Sequence, residues 1–442
     1  MKLAIIGLGV MGRNLALNCR DAGHQCVVWD PWQQARNWQA DGIEVCDTLE
    51  ALVNSLPVPS MVLLMIKSGQ PVFELTERLC ELLENGDVII DGGNSNYIDT
   101  ESNVLLCREH GINFAGLGVS GGAEGARNGP SMMLGCAGEM RIVLEPLLAS
   151  VAARHNGRPC LGWFGDGGAG HFVKMVHNGI EYAIMEAIAE SWQLLELSGM
   201  TTSAAGRQMD IWSSGMLAGY LIEVSAEVLQ TGEASSGRLL IELVDDAAGQ
   251  KGTGGWCVTE ALKLGVPVPS IMAAVTMRQV SSHEVLRVLS GDHSETSTDV
   301  TVQAVYDALV GAVTLALAQG AHLLTVASQE NDWKIQLAEA ARVWQEGSIL
   351  RMALLEKFAD PAALFDMACE HRDGLRRSVI AAFAASLPVP TMAASLAYLD
   401  SCSAAQLPTA LVQLQRDRFG AHGLKHRETG EMFHGPWHKA DS

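Results

Sequence analysis

Lys174, His177, Asn178 and Glu181 stand at spacings of three, four and seven within a stretch rich in helix formers. At 3.6 residues per turn, that spacing brings all four to one face of a helix. The strip combines an amine able to act as a base, a carboxyl able to act as an acid, and two hydrogen-bonding groups. Proton transfer at a polar substrate is chemistry such a strip can perform. A Lys–Glu pair two turns apart is, on its own, more often a solvated helix face than a catalytic one. What positions the strip has to decide between the two.

Gly165, Gly167, Gly168 and Gly170 cluster just before a long amphipathic segment, His171–Ser198. They mark a helix start and a domain junction. Over residues 1–170, short β-rich runs (Leu3–Ile6, Val27–Trp29, Met61–Met65, Val88–Ile90 and Ile112–Ala115) alternate with helix-length segments. This alternation predicts βαβ units, an α/β Rossmann-type domain with a mostly parallel, doubly wound sheet. Over residues 171–415, Ala- and Leu-rich periodic segments replace the alternation and predict a large all-α domain. Gly199–Gly215 reads as a loop and helix start. Residues 416–442 are polar, carry His422, His426, His434 and His438, and read as a tail with little core of its own.

The first predicted strand runs into Gly7-Leu8-Gly9-Val10-Met11-Gly12 and then a helical segment, Asn14–Ala22. In that context the glycines have physical tasks: a tight turn, close approach of backbone to a pyrophosphate, and close helix packing. The helix N-terminus offers unpaired N–H groups to the phosphates. Asp30, 23 residues after Gly7 at the end of the second strand, can accept from ribose hydroxyls and favours NAD. A 2′-phosphate beside that carboxylate would meet repulsion of roughly a few kcal/mol, making NADP the less expected cofactor. Pro31 and Trp32 bring no positive charge, and Arg36 is the one nearby cation that would offset the repulsion.

The formal charge is −20 over 442 residues. Such a surface repels nucleic acid and anionic membranes, so neither is an expected partner, and an anionic ligand must find a local basic pocket. Ten scattered cysteines without a CxxC pair read as reduced thiols of a cytoplasmic protein. No secretory leader is evident, and Ala308–Ala327, interrupted by Gln319 and His322, reads as a buried core helix. The tail histidines pair at i, i+4, yet no HExxH occurs and no carboxylate or cysteine completes a ligand set. No metal is expected. The absence of GxxxxGK[ST] leaves an NTPase reading without support.

His171-Phe-Val-Lys-Met-Val-His-Asn-Gly-Ile-Glu-Tyr182 resembles the catalytic helix of the 6-phosphogluconate dehydrogenase family almost residue for residue. The resemblance extends to Asp91-Gly-Gly-Asn-Ser95, to Gly118-Val-Ser-Gly-Gly122 with Glu124-Gly-Ala-Arg127, to Gly249-Gln-Lys-Gly-Thr-Gly254, and to Arg416-Asp-Arg-Phe-Gly-Ala-His422. It covers Met1 to Trp437 and is weakest between about His283 and Trp344. It implies an oxidative decarboxylase in which Lys174 is the base at the C3 hydroxyl and Glu181 the acid that protonates the enediol. Asn178, His177, Ser120, Gly121 and Gly122 would bind sugar hydroxyls and carboxylate, and Asn94 and Lys67 would hold the nicotinamide side, with Asn94 also reaching the substrate. Tyr182, Lys251, Thr253 and Arg278 would bind a terminal phosphate. The family also implies a homodimer with shared active sites, in which the partner contributes Arg416 and His422.

The chain departs from the family where Asp30-Pro31-Trp32 replaces a common Asn-Arg-Thr, where Gly9 replaces alanine, and where Ala123 replaces an acidic residue. The family's usual NADP preference is therefore not carried over. Three alternatives stay open: the same chemistry on a related anionic sugar acid such as a 6-sulfo analogue, a β-hydroxyacid dehydrogenase that stops at the ketone, and a non-catalytic NAD-binding sensor.

Overall fold

The computed structural model describes residues 1–31, 42–283, 285 and 300–438. Trp32 and Arg36 lie outside the described residues. Two compact units are present, Met1–Leu396 and Ala397–Ser442.

The first unit opens on an eight-stranded sheet. Its strands are β1 (Lys2–Ile6), β2 (Gln25–Trp29), β3 (Ile43–Val45), β4 (Met61–Leu64), β5 (Val88–Asp91), β6 (Asn113–Ser120), β7 (Ser131–Gly135) and β8 (Leu161–Trp163). They lie in the spatial order β8-β7-β6-β5-β4-β1-β2-β3. Every pair is parallel except β6 and β7, which run antiparallel. Strands β4 and β5 are buried at every position, because helices cover both faces of the sheet and leave no solvated side for polar alternation. The chain leaves β1 in one direction and returns to β4 on its other side, so a crevice opens beyond the ends of β1 and β4, where α/β sheets bind dinucleotides.

Four differences from the expected elements have physical causes. Strands β3, β7 and β8 were not among the expected ones: β3 and β8 are only three residues long, and β7 (Ser-Met-Met-Leu-Gly) has little β-branched character. Gly118 to Ser120, expected in a loop, end strand β6. Thr202–Trp212 is helical through most of the segment expected as a loop, with the Thr201 hydroxyl accepting from the Ala204 N–H. Arg416, the expected start of the tail, lies inside the helix Thr409–Gly420.

The helical part is built on two 29-residue helices, Ala169–Leu197 and Val302–Glu330, packed against each other. By length and composition the second could cross a membrane, but 83% of its apolar window is buried. It is the core helix the sequence predicted. All ten cysteines are free of disulfides.

Candidate active site

The helix Ala169–Leu197 carries the strip, and its placement is set at its first two turns. The Gly168 N–H donates to Glu101 at 2.7 Å, and His171 bonds the Thr100 hydroxyl at 2.7 Å. Further along, the helix lies directly on β6: a Cβ added at Gly118 would stand 2.5 Å from the Lys174 Cβ. Glycine at 118 is therefore what lets Lys174 sit against the end of β6.

The side chains then converge. Lys174 Nζ lies 3.2 Å from His177 Nδ1, and His177 Nε2 lies 3.2 Å from the Ser120 hydroxyl at the end of β6. Asn178 Oδ1 and Glu181 Oε2 lie 3.3 and 3.6 Å from the same Nδ1. The Asn178 amide donates to Asn94 Oδ1 at 3.3 Å. Asn94 sits on a turn held by Asp91, whose carboxylate accepts from the Gly93 N–H at 2.9 Å and the Ser95 hydroxyl at 2.6 Å. Lys174 and His177 are 7% and 0% exposed, which excludes the solvated-face reading. Burial pushes Lys174 down to about 8, against the Glu181 carboxylate, which raises it. Burial, aided by the Lys174 charge, pushes His177 well below its usual range and keeps it neutral. Burial pushes Glu181 up, against the opposing charges of Lys174 and Arg278. The amine is thus drawn down and the carboxyl drawn up, the directions that suit one to act as a base and the other as an acid.

One turn beyond, the Arg278 guanidinium stacks 3.5 Å over the Tyr182 ring and donates to the Gly249 carbonyl at 3.4 Å. Thr253 is buried at the first turn of the helix Thr253–Lys263, whose N-cap, Gly252, offers no side chain. Lys251 is exposed beside it. Two cations and an uncapped helix N-terminus suit a tetrahedral anion. Gly121 and Gly122 open the helix Gly122–Asn128 next to Ser120, and Lys67 is exposed just after β4.

The dinucleotide loop fits its expected ligand. A Cβ at Gly12 would collide with the Gly7 carbonyl oxygen, whereas Gly9 faces open space. The helix Val10–Asp21 starts at Gly9 without a side-chain cap, leaving the N–H groups of its first turn, from Val10 and Met11 on, for phosphate oxygens. Asp30 is 6% exposed and accepts from the Leu8 N–H at 2.7 Å. It follows β2 directly and anchors the loop, a task the sequence did not reveal.

Arg416 and His422 are exposed in the second unit, Arg416 donating to Gln413 at 3.2 Å. There, one expectation needs correction: a carboxylate does join the tail histidines, since ligand atoms of Asp417, His434 and His438 lie within 4.8 Å of one another. Its oxygens accept from the Gly423 and Gly435 N–H groups, from His434 and from the Trp437 indole, at 2.7 to 2.9 Å. Four donors occupy the carboxylate, and the cluster is a fastening of the tail.

With this geometry in hand, comparison with known proteins identifies the lineage. Residues 2–165 match the NAD binding domain of 6-phosphogluconate dehydrogenase, and residues 170–437 match its C-terminal domain. The chain belongs to the 6-phosphogluconate dehydrogenase family. The decarboxylating 6-phosphogluconate dehydrogenase of Synechococcus elongatus is 40% identical, with 99% of each chain covered. The NADP(+)-dependent, decarboxylating enzyme of Bacillus subtilis is 37% identical over 99% of each chain. The solved structure of the Plasmodium falciparum 6-phosphogluconate dehydrogenase, described with NADP+ and with 6-phosphogluconate, aligns with a TM-score of 0.91 at 32% identity, covering 99% of this chain and 100% of that one. A 3-hydroxyisobutyrate dehydrogenase of Mycobacterium tuberculosis, 21% identical, covers 66% of this chain with a TM-score of 0.50 and shares the fold alone.

Ser348 escaped the sequence reading. It lies 3.1 Å from His177 Nε2, although 171 positions separate them. A serine after a glycine reads as an ordinary turn, and no local signal links it to the strip.

Proposed function

We propose that this protein catalyses the NAD-linked oxidative decarboxylation of 6-phosphogluconate to ribulose 5-phosphate and carbon dioxide. The observation that carries the reading is the constellation of buried Lys174 and His177 with half-buried Glu181 on one helix, beside Ser120 and Asn94. Gly7, Gly9, Val10, Met11, Gly12 and Asp30 would hold the dinucleotide, with Lys67 and Asn94 toward its nicotinamide end. When bound, the dinucleotide supplies the two-electron oxidant.

Neutral Lys174 takes the proton of the C3 hydroxyl as that carbon is oxidised. The resulting ammonium then donates a hydrogen bond to the new C3 carbonyl, drawing electrons from the breaking bond to the carboxylate as carbon dioxide leaves. The ammonium's proton passes to that oxygen as the 1,2-enediol forms; protonated Glu181 then delivers a proton to C1 while Lys174 takes back the C2 hydroxyl proton, completing the pentulose phosphate. Asn178, His177, Ser120, Gly121 and Gly122 orient the hydroxyls and carboxylate. Tyr182, Lys251, Thr253 and Arg278 hold the terminal phosphate, with Arg416 and His422 reaching in from a second copy of the chain in a homodimer. The functional division is then 1–170 for the dinucleotide, 171–415 for substrate and dimer contacts, and 416–442 for the shared tail. The protein works in the cytoplasm on a free metabolite, without nucleic acid or membrane partners.

NAD preference rests on Asp30, a buried anion where a 2′-phosphate would approach. The second reading, NADP, is favoured by the names of the B. subtilis and P. falciparum relatives. Turnover of 6-phosphogluconate with each cofactor, recording reduced nicotinamide and carbon dioxide together, tests both. Equimolar carbon dioxide with NAD preferred supports the proposal. NADP preference removes the Asp30 argument alone, and no turnover with either redirects the search to other anionic sugar acids.

A further inference from the structure

His177 is held from both sides. On one side its Nδ1 faces Lys174 Nζ at 3.2 Å; beside the ammonium form, which has three donors and no acceptor, this nitrogen is the bare one. The neutral ring then carries its proton on Nε2, where two hydroxyl oxygens wait: Ser348 at 3.1 Å and Ser120 at 3.2 Å. The two serines are not equivalent. Ser120 ends β6, and in the proposed reaction a bound sugar acid competes for its hydroxyl. Ser348 is 0% exposed and is fixed by its own turn, its hydroxyl accepting from the Leu350 N–H at 2.9 Å. That turn is tied to the sheet, since the Ser131 N–H donates to the Gly347 carbonyl at 2.8 Å and the Ile349 N–H to the Ser120 hydroxyl at 3.4 Å. The Trp344 ring, edge-on at 5.3 Å, closes another side of the imidazole.

We infer that Ser348 is a positioning residue for the reaction: it holds the Nε2 edge of His177 so that bare Nδ1 receives an N–H from Lys174 and leaves the amine's lone pair for the substrate. The competing arrangement puts the proton on Nδ1, donating to Asn178 Oδ1 at 3.3 Å. It deprives Lys174 of that acceptor. The other charged groups facing this cluster are Glu181, 3.6 Å from Nδ1, and Arg278, which acts on Glu181.

The inference rests on the proposed reaction, but its first test does not. Nitrogen-15 NMR of histidine-labelled, substrate-free protein near neutral pH, with His177 assigned by its loss in His177→Gln, reads the tautomer directly. A protonated Nε2 with a bare Nδ1 is expected, and a protonated Nδ1 overturns the inference whatever the substrate proves to be. In Ser348→Ala, kcat for 6-phosphogluconate should fall about tenfold, the loss of one buried hydrogen bond, with KM within twofold. The acid limb of the pH profile should move to lower pH, because the Lys174 ammonium loses an acceptor that favours it. Ser348→Cys, which keeps a weak acceptor, should recover part of the loss. A thermal stability loss with an unmoved pH limb, or a raised KM at unchanged kcat, would refute the positioning role.

Discussion

Glu181→Gln separates the acid from the base on a single helix. Lys174, held near 8 by burial, is neutral in roughly one molecule in ten at pH 7, against roughly one in several thousand for an ordinary lysine. In the native protein kcat/KM should therefore climb about tenfold per pH unit up to about 8 and then level off. The base must be unprotonated, so activity is lost as pH falls. The Glu181 carboxylate works against burial by favouring the ammonium, and a neutral amide removes that attraction. In the variant the acid limb should move below about 8 while kcat falls by about 100- to 10,000-fold, the usual scale for removing a general acid. The assay is initial-rate turnover of 6-phosphogluconate from pH 6 to 10, scored by reduced nicotinamide and carbon dioxide, with product formed in deuterium oxide examined for label at C1. Stereospecific label is expected from the native protein and scrambled label from the variant. A limb that stays in place, or a kcat within about threefold of native, would show that Glu181 neither senses Lys174 nor delivers the proton.

Other expected outcomes follow from the same geometry. Lys174→Met should abolish turnover yet stabilise the fold by up to roughly 3 kcal/mol near pH 7, because burying the ammonium costs stability below about pH 8 and ceases to cost it above the usual lysine value; thermal melts at pH 7 and above pH 10.5 check this, and the gain should vanish at the higher pH. Gly12→Ala should weaken dinucleotide binding at least tenfold in a calorimetric titration, since its Cβ collides with the Gly7 carbonyl oxygen. Truncation before Arg416 should eliminate turnover while dinucleotide affinity stays near native. Asp30→Asn should shift the NADP to NAD ratio of kcat/KM toward NADP, and an unchanged ratio would place the discrimination elsewhere.

Much of this was legible in the residues, and what was not has physical reasons. The strip was readable because one helix fixes its geometry: spacing alone sets the face, and Lys174, His177, Asn178 and Glu181 are together where 3.6-residue periodicity puts them. The Gly7–Gly12 loop was readable because backbone approach demands glycine whatever the tertiary context. Strand β7 and the end of β6 were not, since Ser-Met-Met-Leu-Gly has no β-branched residue, Gly118-Val-Ser120 has one beside a glycine, and both owe their conformation to pairing with each other. Ser348 was invisible because its contact spans two distant segments. Asp30 was seen, but only for its presumed ligand, not for its bond to Leu8. Asp417 went unnoticed beside the histidines because it lies 17 and 21 positions away from them.

Base and acid on one helix behave as marks on a ruler. Seven residues at 1.5 Å each set Lys174 and Glu181 about 10 Å apart along the axis, and no hinge lies between them. Any rocking of the sheet against the helices would carry the oxidant toward or away from the sugar while leaving both proton sites in register. In the proposed reaction the base and the acid thus keep one spacing from oxidation through reprotonation, and only their protons have to be restored between turnovers.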